Sequence, residues 1–398
     1  MKSHKSVFFS SVVASMSSFT FGMLFTSIGL IIPVLEVDYK KQNLSYEFGT
    51  YVSLFATIVF LGAFVSSYFA YLLDRISKDK ILLYNNMFYF VGCLILLKFP
   101  LVYAGLIARF LIGLGVGITC CTVPGYIFLI SNDSNRGFYM SFNSIGIVTG
   151  LVFGKVLNVF VTEKHWEMGF FGIAIYLFLH SLLLLTLKKE KETGDDTQST
   201  KQLTIMQLLN APGSFKSIVI ALAFHIAQHA CGIDYFSVFT DELFDKNDQY
   251  AGYKSIGCLT FSAIVCMISA GFIDKLGRKQ TIIISSFILM VSTAIMGMKY
   301  VNIYIALIYM FGFNVGLSSI PWFITNEVFP VEYHNAAQRM CVGINWLSAF
   351  ILSVFLKPAH ERYGDSFYFF YSFNMMAFIL FVVLLFKETK GKSIVKFQ

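Results

Sequence analysis

The chain has 398 residues, 56% of them apolar and only 13% charged, with a formal net charge of +7 and a mean hydropathy of +0.68. A soluble domain carries roughly 25% charge, so this composition excludes both a disordered chain and one clothed in water, and its solvent is a lipid bilayer. The positive balance is a topology signal; nucleic acid is not implied as a partner. Runs long and apolar enough to cross a bilayer as helices fall, in chain order, at 6–35, 48–73, 81–97, 110–132, 137–154, 168–187, 217–233, 255–273, 280–298, 300–326, 340–356 and 366–386. They predict an all-α polytopic membrane protein with twelve transmembrane helices.

Lys2 and Lys5 precede the first run. That run is about twice as long as a signal peptide's apolar core and no small-residue cleavage site follows, so it reads as helix 1. Asn43-Leu44-Ser45 forms a glycosylation triplet in the first outer loop. Asp74-Arg75 then opens a short basic loop that ends at Lys80. Arg109 stands near the outer end of helix 4, placed to snorkel or to pair. Gly113, Gly115 and Gly117 behind it let neighbouring backbones approach closely. After the sixth run comes the longest polar stretch, KKEKETGDDTQSTK at 188–201, which reads as a solvated linker.

Half a chain length after Asp74, the sequence DKLGRK at 274–279 repeats the loop motif. The repeat predicts two six-helix bundles, 1–187 and 217–398, joined by a linker at 188–216, with a ligand site between the bundles near the midplane. Lysine and arginine concentrate in the stretches on the side of both termini, which makes that side cytoplasmic.

In the seventh run His225, Gln228, His229 and Asp234 interrupt an otherwise apolar sequence. A carboxylate at the midplane costs about 2.5–3.5 kcal/mol on insertion scales, so Asp234 is expected to face a wet cavity, with Gly232 loosening the helix beside it. Amide and carboxylate groups suit sugar hydroxyls, while Phe313 and Trp322 offer rings for the apolar faces of a sugar. His225 and His229 have the spacing of a zinc pair, but neither an HExxH pattern nor a cysteine pair accompanies them, so no metal or cofactor is expected. The seven cysteines lie in the apolar runs without paired spacing and read as small apolar groups. Without a Gly-x-Ser-x-Gly elbow or a phosphate-binding loop, an enzyme is not expected.

In order and spacing, several of these residues resemble the sugar porter branch of the major facilitator superfamily. Phe21-Gly22 is similar to the FGY start of helix 1, and RFLIGLGVG at 109–117 with Pro124 and Tyr126 to GRxxxGxGxG and PxY. Arg136-Gly137 resembles the RG of the next loop, and QHACGID at 228–234 resembles QQxxGIN. IPWFITNEVFP at 320–330, Asn345-Trp346 and KETKGK at 387–392 are similar to the later signatures.

The resemblance implies a hexose transporter acting by alternating access. It implies substrate contacts from Gln228, His229, Asp234, Phe313, Asn314, Trp322, Ser144 and Ser262, with His229 and Asp234 standing where the family has glutamine and asparagine. Inter-helix ion pairs that hold one state closed are expected among Asp74, Arg75, Arg136, Asp274, Arg278, Lys279, Glu327 and Glu388. The N-half set departs from the pattern at Ser77, Lys78 and Leu129 and is expected to be the weaker lock. Proton-driven relatives resemble one another in an aspartate where this chain has Leu24, which favours a facilitator. The alternatives are proton symport through Asp234 or His229, and a non-transporting sugar receptor. A monomer in the plasma membrane is expected, with no partner beyond sugar and lipid.

Overall fold

The computed structural model describes residues 4–42, 47–73, 76–131, 135–161, 163–187, 203–238, 250–391 and 397. Among these there is no strand, and twelve long helices carry the fold. The first six are α1 (His4–Thr26), α2 (Phe48–Phe69), α3 (Lys78–Lys98), α4 (Val102–Ile130), α5 (Arg136–Phe160) and α6 (Trp166–Leu184). The second six are α7 (Ser214–Ala230), α8 (Ala251–Leu276), α9 (Arg278–Gly297), α10 (Ile303–Val328), α11 (His334–Tyr363) and α12 (Tyr368–Leu385). All but α7 are long and apolar enough to cross a membrane; α7 has 17 residues and is continued by a short helix, Ile233–Val238.

Within the first half α1 packs on α5, and α4 packs on both α2 and α3; within the second, α9 packs on α12, and α7 on α11. The halves meet along α2 with α11 and along α5 with α8. In lipid, apolar burial does not separate helix contact from solvent contact, so close backbone approach carries the packing. Gly146, Gly150 and Gly154 of α5 stand four residues apart, and a Cβ on any of them would clash with a carbonyl oxygen of α1: Ser15, Phe19 or Met23. Gly113 and Gly117 of α4 likewise face the carbonyls of Val59 and Ala63 on α2.

Several spans differ from the charge-free runs. The first run ends as a helix at Thr26, passes through a 3-10 turn at Ser27–Leu30 and re-forms as Ile32–Gln42, whose polar part lies beyond the run 6–35. α4 begins at Val102, ahead of the run that starts at 110, because the helix continues straight through Arg109. α11 starts at His334 and passes through Arg339 for the same reason. A charge ends a run on paper; it does not end a helix when neighbouring groups receive it.

Within the linker expected at 188–216, Ile205–Leu209 is helical and opens on a capping box. Thr204 Oγ1 accepts from the Gln207 N–H at 3.3 Å, and Gln207 Oε1 accepts from the Thr204 N–H at 2.8 Å. Leu208 is fully buried and the Leu203 N–H donates to Glu332 O at 3.2 Å, so this piece is tied to the second half. Asn43-Leu44-Ser45 and the polar stretch 188–201 lie outside the described residues.

Candidate functional site

A cavity lined by residues of both halves lies between them. Two helix breaks shape it. α7 stops at Ala230, and Gly232 adopts φ +95°, where a Cβ would also stand 2.9 Å from the Tyr371 ring. Glycine alone meets both demands. In an unbroken helix, residues five apart point about 140° away from each other; here the break returns the chain so that Asp234 Oδ2 lies 2.7 Å from His229 Nδ1. Carbonyls freed by the break are received by neighbours: Tyr309 Oη donates to Cys231 O at 3.1 Å and Asn374 Nδ2 to Ala230 O at 3.3 Å. Irregular backbone at this depth is tolerated where such groups reach it or where it lines a cavity.

α10 is interrupted at the same level. Its first part, Ile303–Gly312, leads into a π-helical turn at Phe313–Leu317, and helix resumes at Ile320 with Pro321 in its first turn. The carbonyls released there are satisfied from both halves: Gln228 Nε2 donates to Leu317 O at 3.1 Å and to Ser318 O at 3.3 Å, and Ser144 Oγ of α5 donates to Ser318 O at 3.0 Å.

Of the eight substrate contacts expected from sequence, Gln228, His229, Asp234, Phe313, Trp322, Ser144 and Ser262 all line this cavity. Asn314 does not. It stands behind the wall, where its amide donates to Ser262 Oγ and to Met310 O at 2.8 Å, because its turn of α10 faces α8. Gln228 lines the cavity with its amide engaged, since its oxygen accepts from Asn345 Nδ2 at 2.9 Å while its nitrogen holds the α10 carbonyls.

Sequence reasoning missed the aromatic wall contributed by Phe21, Phe25, Phe60 and Trp346. Trp346 stacks on Phe60 with centroids 5.7 Å apart and meets the edge of Phe21 at 5.4 Å, which joins α11 to α1 and α2. The signal was present: Phe21 and Phe25 sit one helical turn apart, and Trp346 belongs to a motif already noted.

Arg109 is 1% exposed and thus lies inside the first half, not at a helix end where it could snorkel. Its Nη1 donates to Leu24 O at 2.8 Å and its Nε to Phe55 O at 3.2 Å, while Nη2 is buried without a partner. The carbonyls of α1 and α2 are what let α4 run through a charge.

At the end where the linker joins the halves, Arg278 and Glu327 form a forked ion pair, Nη2 to Oε1 at 2.7 Å and Nε to the two carboxylate oxygens at 3.1 and 3.0 Å. Thr389 Oγ1 also donates to Glu327 Oε2, at 2.5 Å. Lys279 and Glu388 depart from the expected pairing of side chains, because each serves a helix end. Lys279 Nζ donates to Val383 O and Phe386 O, at 3.0 and 2.7 Å, where α12 finishes. Glu388 accepts from the backbone N–H groups of Arg278 and Lys279, both at 2.9 Å, where α9 starts. Each charge thus opposes the partial charge of a helix terminus. Gly277, at φ +89°, leaves the room for the Glu388 carboxylate. Burial pushes the Glu388 pKa up, and backbone N–H donors from Arg278, Lys390, Lys279 and Thr389 outweigh it and hold the group below its ordinary value. Arg136 lies over the Phe128 ring, 4.1 Å from its centroid. Asp74, Arg75 and the side chain of Asp274 lie outside the described residues.

The profile of the family described as Sugar (and other) transporter matches residues 10–188 and again 180–398. The chain is 25% identical to solute carrier family 2, facilitated glucose transporter member 2, of Sus scrofa, covering 86% of this chain and 75% of that protein. It is 24% identical to member 3 of Rattus norvegicus, covering 98% and 91%. Its fold is similar to that of the proton:xylose symporter XylE solved with 6-bromo-6-deoxy-D-glucose, with a TM-score of 0.86, 20% identity and 98% of each chain covered.

Proposed function

The chain belongs to the sugar (and other) transporter family, and we propose that it carries a monosaccharide, a hexose, down its gradient by alternating access. The observation that carries this reading is the cavity between the halves, where two broken helices present polar groups beside a wall of aromatic rings. The multi-pass protein works as a monomer in the plasma membrane with both termini cytoplasmic, and as a carrier, not an enzyme. Leu24, which cannot titrate, beside an Arg109 bonded to carbonyl oxygens supports facilitation over proton coupling. A specific observation favours one second reading: the His229–Asp234 contact within the cavity could carry a proton with the sugar.

The test is uptake of labelled hexoses, pentoses and nucleosides into proteoliposomes, with and without an imposed pH gradient. Facilitation predicts that a hexose equilibrates and ignores the gradient. Accumulation driven by the gradient would replace it with the proton-coupled reading, and hexose binding without passage would make the chain a receptor.

A further inference from the structure

The two halves also meet at the end where the linker joins them, and one contact there is made of rings. His334, the first residue of α11, is buried, and its imidazole meets the Phe128 ring of α4 at 86°, with centroids 5.1 Å apart. Each ring is held by its own half. The guanidinium of Arg136, which opens α5, lies over Phe128, 4.1 Å from its centroid. His334 Nε2 donates to Phe329 O at 2.8 Å, and behind that turn the Phe397 ring packs on Tyr333 and Phe329, with centroids 5.3 and 6.2 Å apart. One helical turn further along α11, Gln338 Nε2 donates to Cys120 O of α4 at 3.4 Å, so the seam between the halves continues inward from the rings. The forked Arg278–Glu327 pair at the same end lies wholly within the second half. Leu129, beside Phe128, offers no charge and is 49% exposed.

We infer that Phe128 and His334 form a latch that closes the halves at this end, so that a contact between rings spans the seam where ion pairs were expected. Rings that meet edge to face attract through their quadrupoles only at centroid separations of about 4.5–7 Å, so a small parting of the halves removes the attraction outright. That short range suits a contact that must break and re-form in every cycle. Arg136 attracts the face of Phe128 and belongs to the same half, so it holds that ring in place while the seam opens. On the other side the bond to Phe329 and the packing of Phe397 fix the turn that presents His334. The inference rests on the alternating-access reading, which requires the halves to separate at this end, and names the side chains between which they separate.

Cys341 is fully buried and lies three residues beyond Gln338, on the side of α11 that meets α4. Its alkylation by N-ethylmaleimide in the purified full-length protein, followed by mass spectrometry, therefore reports opening of this seam without any sugar. Cys93, fully buried inside the first half, reports unfolding. Phe128→Ala and His334→Ala are each expected to label Cys341 about five-fold faster than the wild type, the scale of one aromatic pair, with Cys93 still protected. The double variant should label no faster than either single, because both side chains act through one contact, and Phe128→Tyr, which keeps the ring, should label at the wild-type rate. Single variants that label like the wild type, or a double variant whose increases multiply, overturn the inference and leave hexose transport standing. If an alanine variant also exposes Cys93, Phe128→Leu, which keeps the apolar bulk and loses the ring, decides in its place. Hexose passage is measured alongside in proteoliposomes; its absence in the wild type overturns the transport reading, and the latch with it.

Discussion

Arg109 on α4 donates through Nη1 to the backbone carbonyl of Leu24 on α1, 2.8 Å away, in a bundle where its Nη2 has no partner. A buried guanidinium held by carbonyl oxygens keeps its charge without a group that can take up a proton. Leu24→Asp would set a carboxylate one side chain from that guanidinium. The expected outcome is that uptake into proteoliposomes becomes responsive to an imposed pH gradient to which the wild type is indifferent. If the variant transports and remains indifferent, the carboxylate does not titrate in the cycle, and Leu24 is not what uncouples this chain from protons.

Arg278 and Glu327 share a forked pair with side chains only 6% and 11% exposed. Removing one member of a buried pair strands the other, at a cost of about 3–5 kcal/mol. Arg278→Ala and Glu327→Gln are each expected to slow hexose uptake about ten-fold or more, a free-energy change well within that cost. Asp74→Asn, in the N-half loop, should slow it far less. The comparison is made on initial uptake rates normalised to folded protein; equal tolerance of all three would remove the asymmetry between the halves.

Glu388 sets a pH dependence whose sign follows from its surroundings. Its folded-state pKa is held below the ordinary value, with four backbone N–H donors prevailing over burial. The stabilisation it supplies is therefore complete above the ordinary glutamate pKa and is lost as pH falls through the depressed one. Melting temperature in detergent should drop on acidification below about pH 4, and Glu388→Gln should flatten that part of the profile. A wild type and a variant with parallel profiles would show that the carboxylate is not the group responsible.

Gly232→Ala tests the break in α7. Left-handed backbone costs an L-residue about 1–2 kcal/mol, and the new Cβ would press on the Tyr371 ring at 2.9 Å. The variant is expected to melt earlier and to transport poorly. Tyr371→Ala in the same chain should relieve the contact and leave the backbone cost, so it restores part of the melting temperature and not all. Full restoration would mean that the ring alone forbids the side chain.

Much of the site is legible in the sequence. A histidine, an amide and a carboxylate within one apolar run are costly in lipid wherever they lie, so Gln228, His229 and Asp234 announced a cavity, and Gly232 a break. Other features were illegible for a physical reason. Asn314 has the right residue type, yet its turn of α10 directs it to Ser262 behind the wall. Arg109 read as the outer end of a helix because a charge in a run cannot be distinguished from its boundary until its acceptors, on α1 and α2, are known.

The sequence by itself determined the solvent, the number and order of the helices and the level at which polarity enters the membrane, since each depends on local composition and on spacing along one helix. Tertiary structure alone decided which of those polar atoms are engaged and which are left for a ligand. Gln228 is closed off by Leu317, Ser318 and Asn345, and Glu388 serves the start of α9 where a side-chain partner was expected. Hydrogen-bond partners so far apart in the chain are chosen by how helices pack, and no local pattern records that choice.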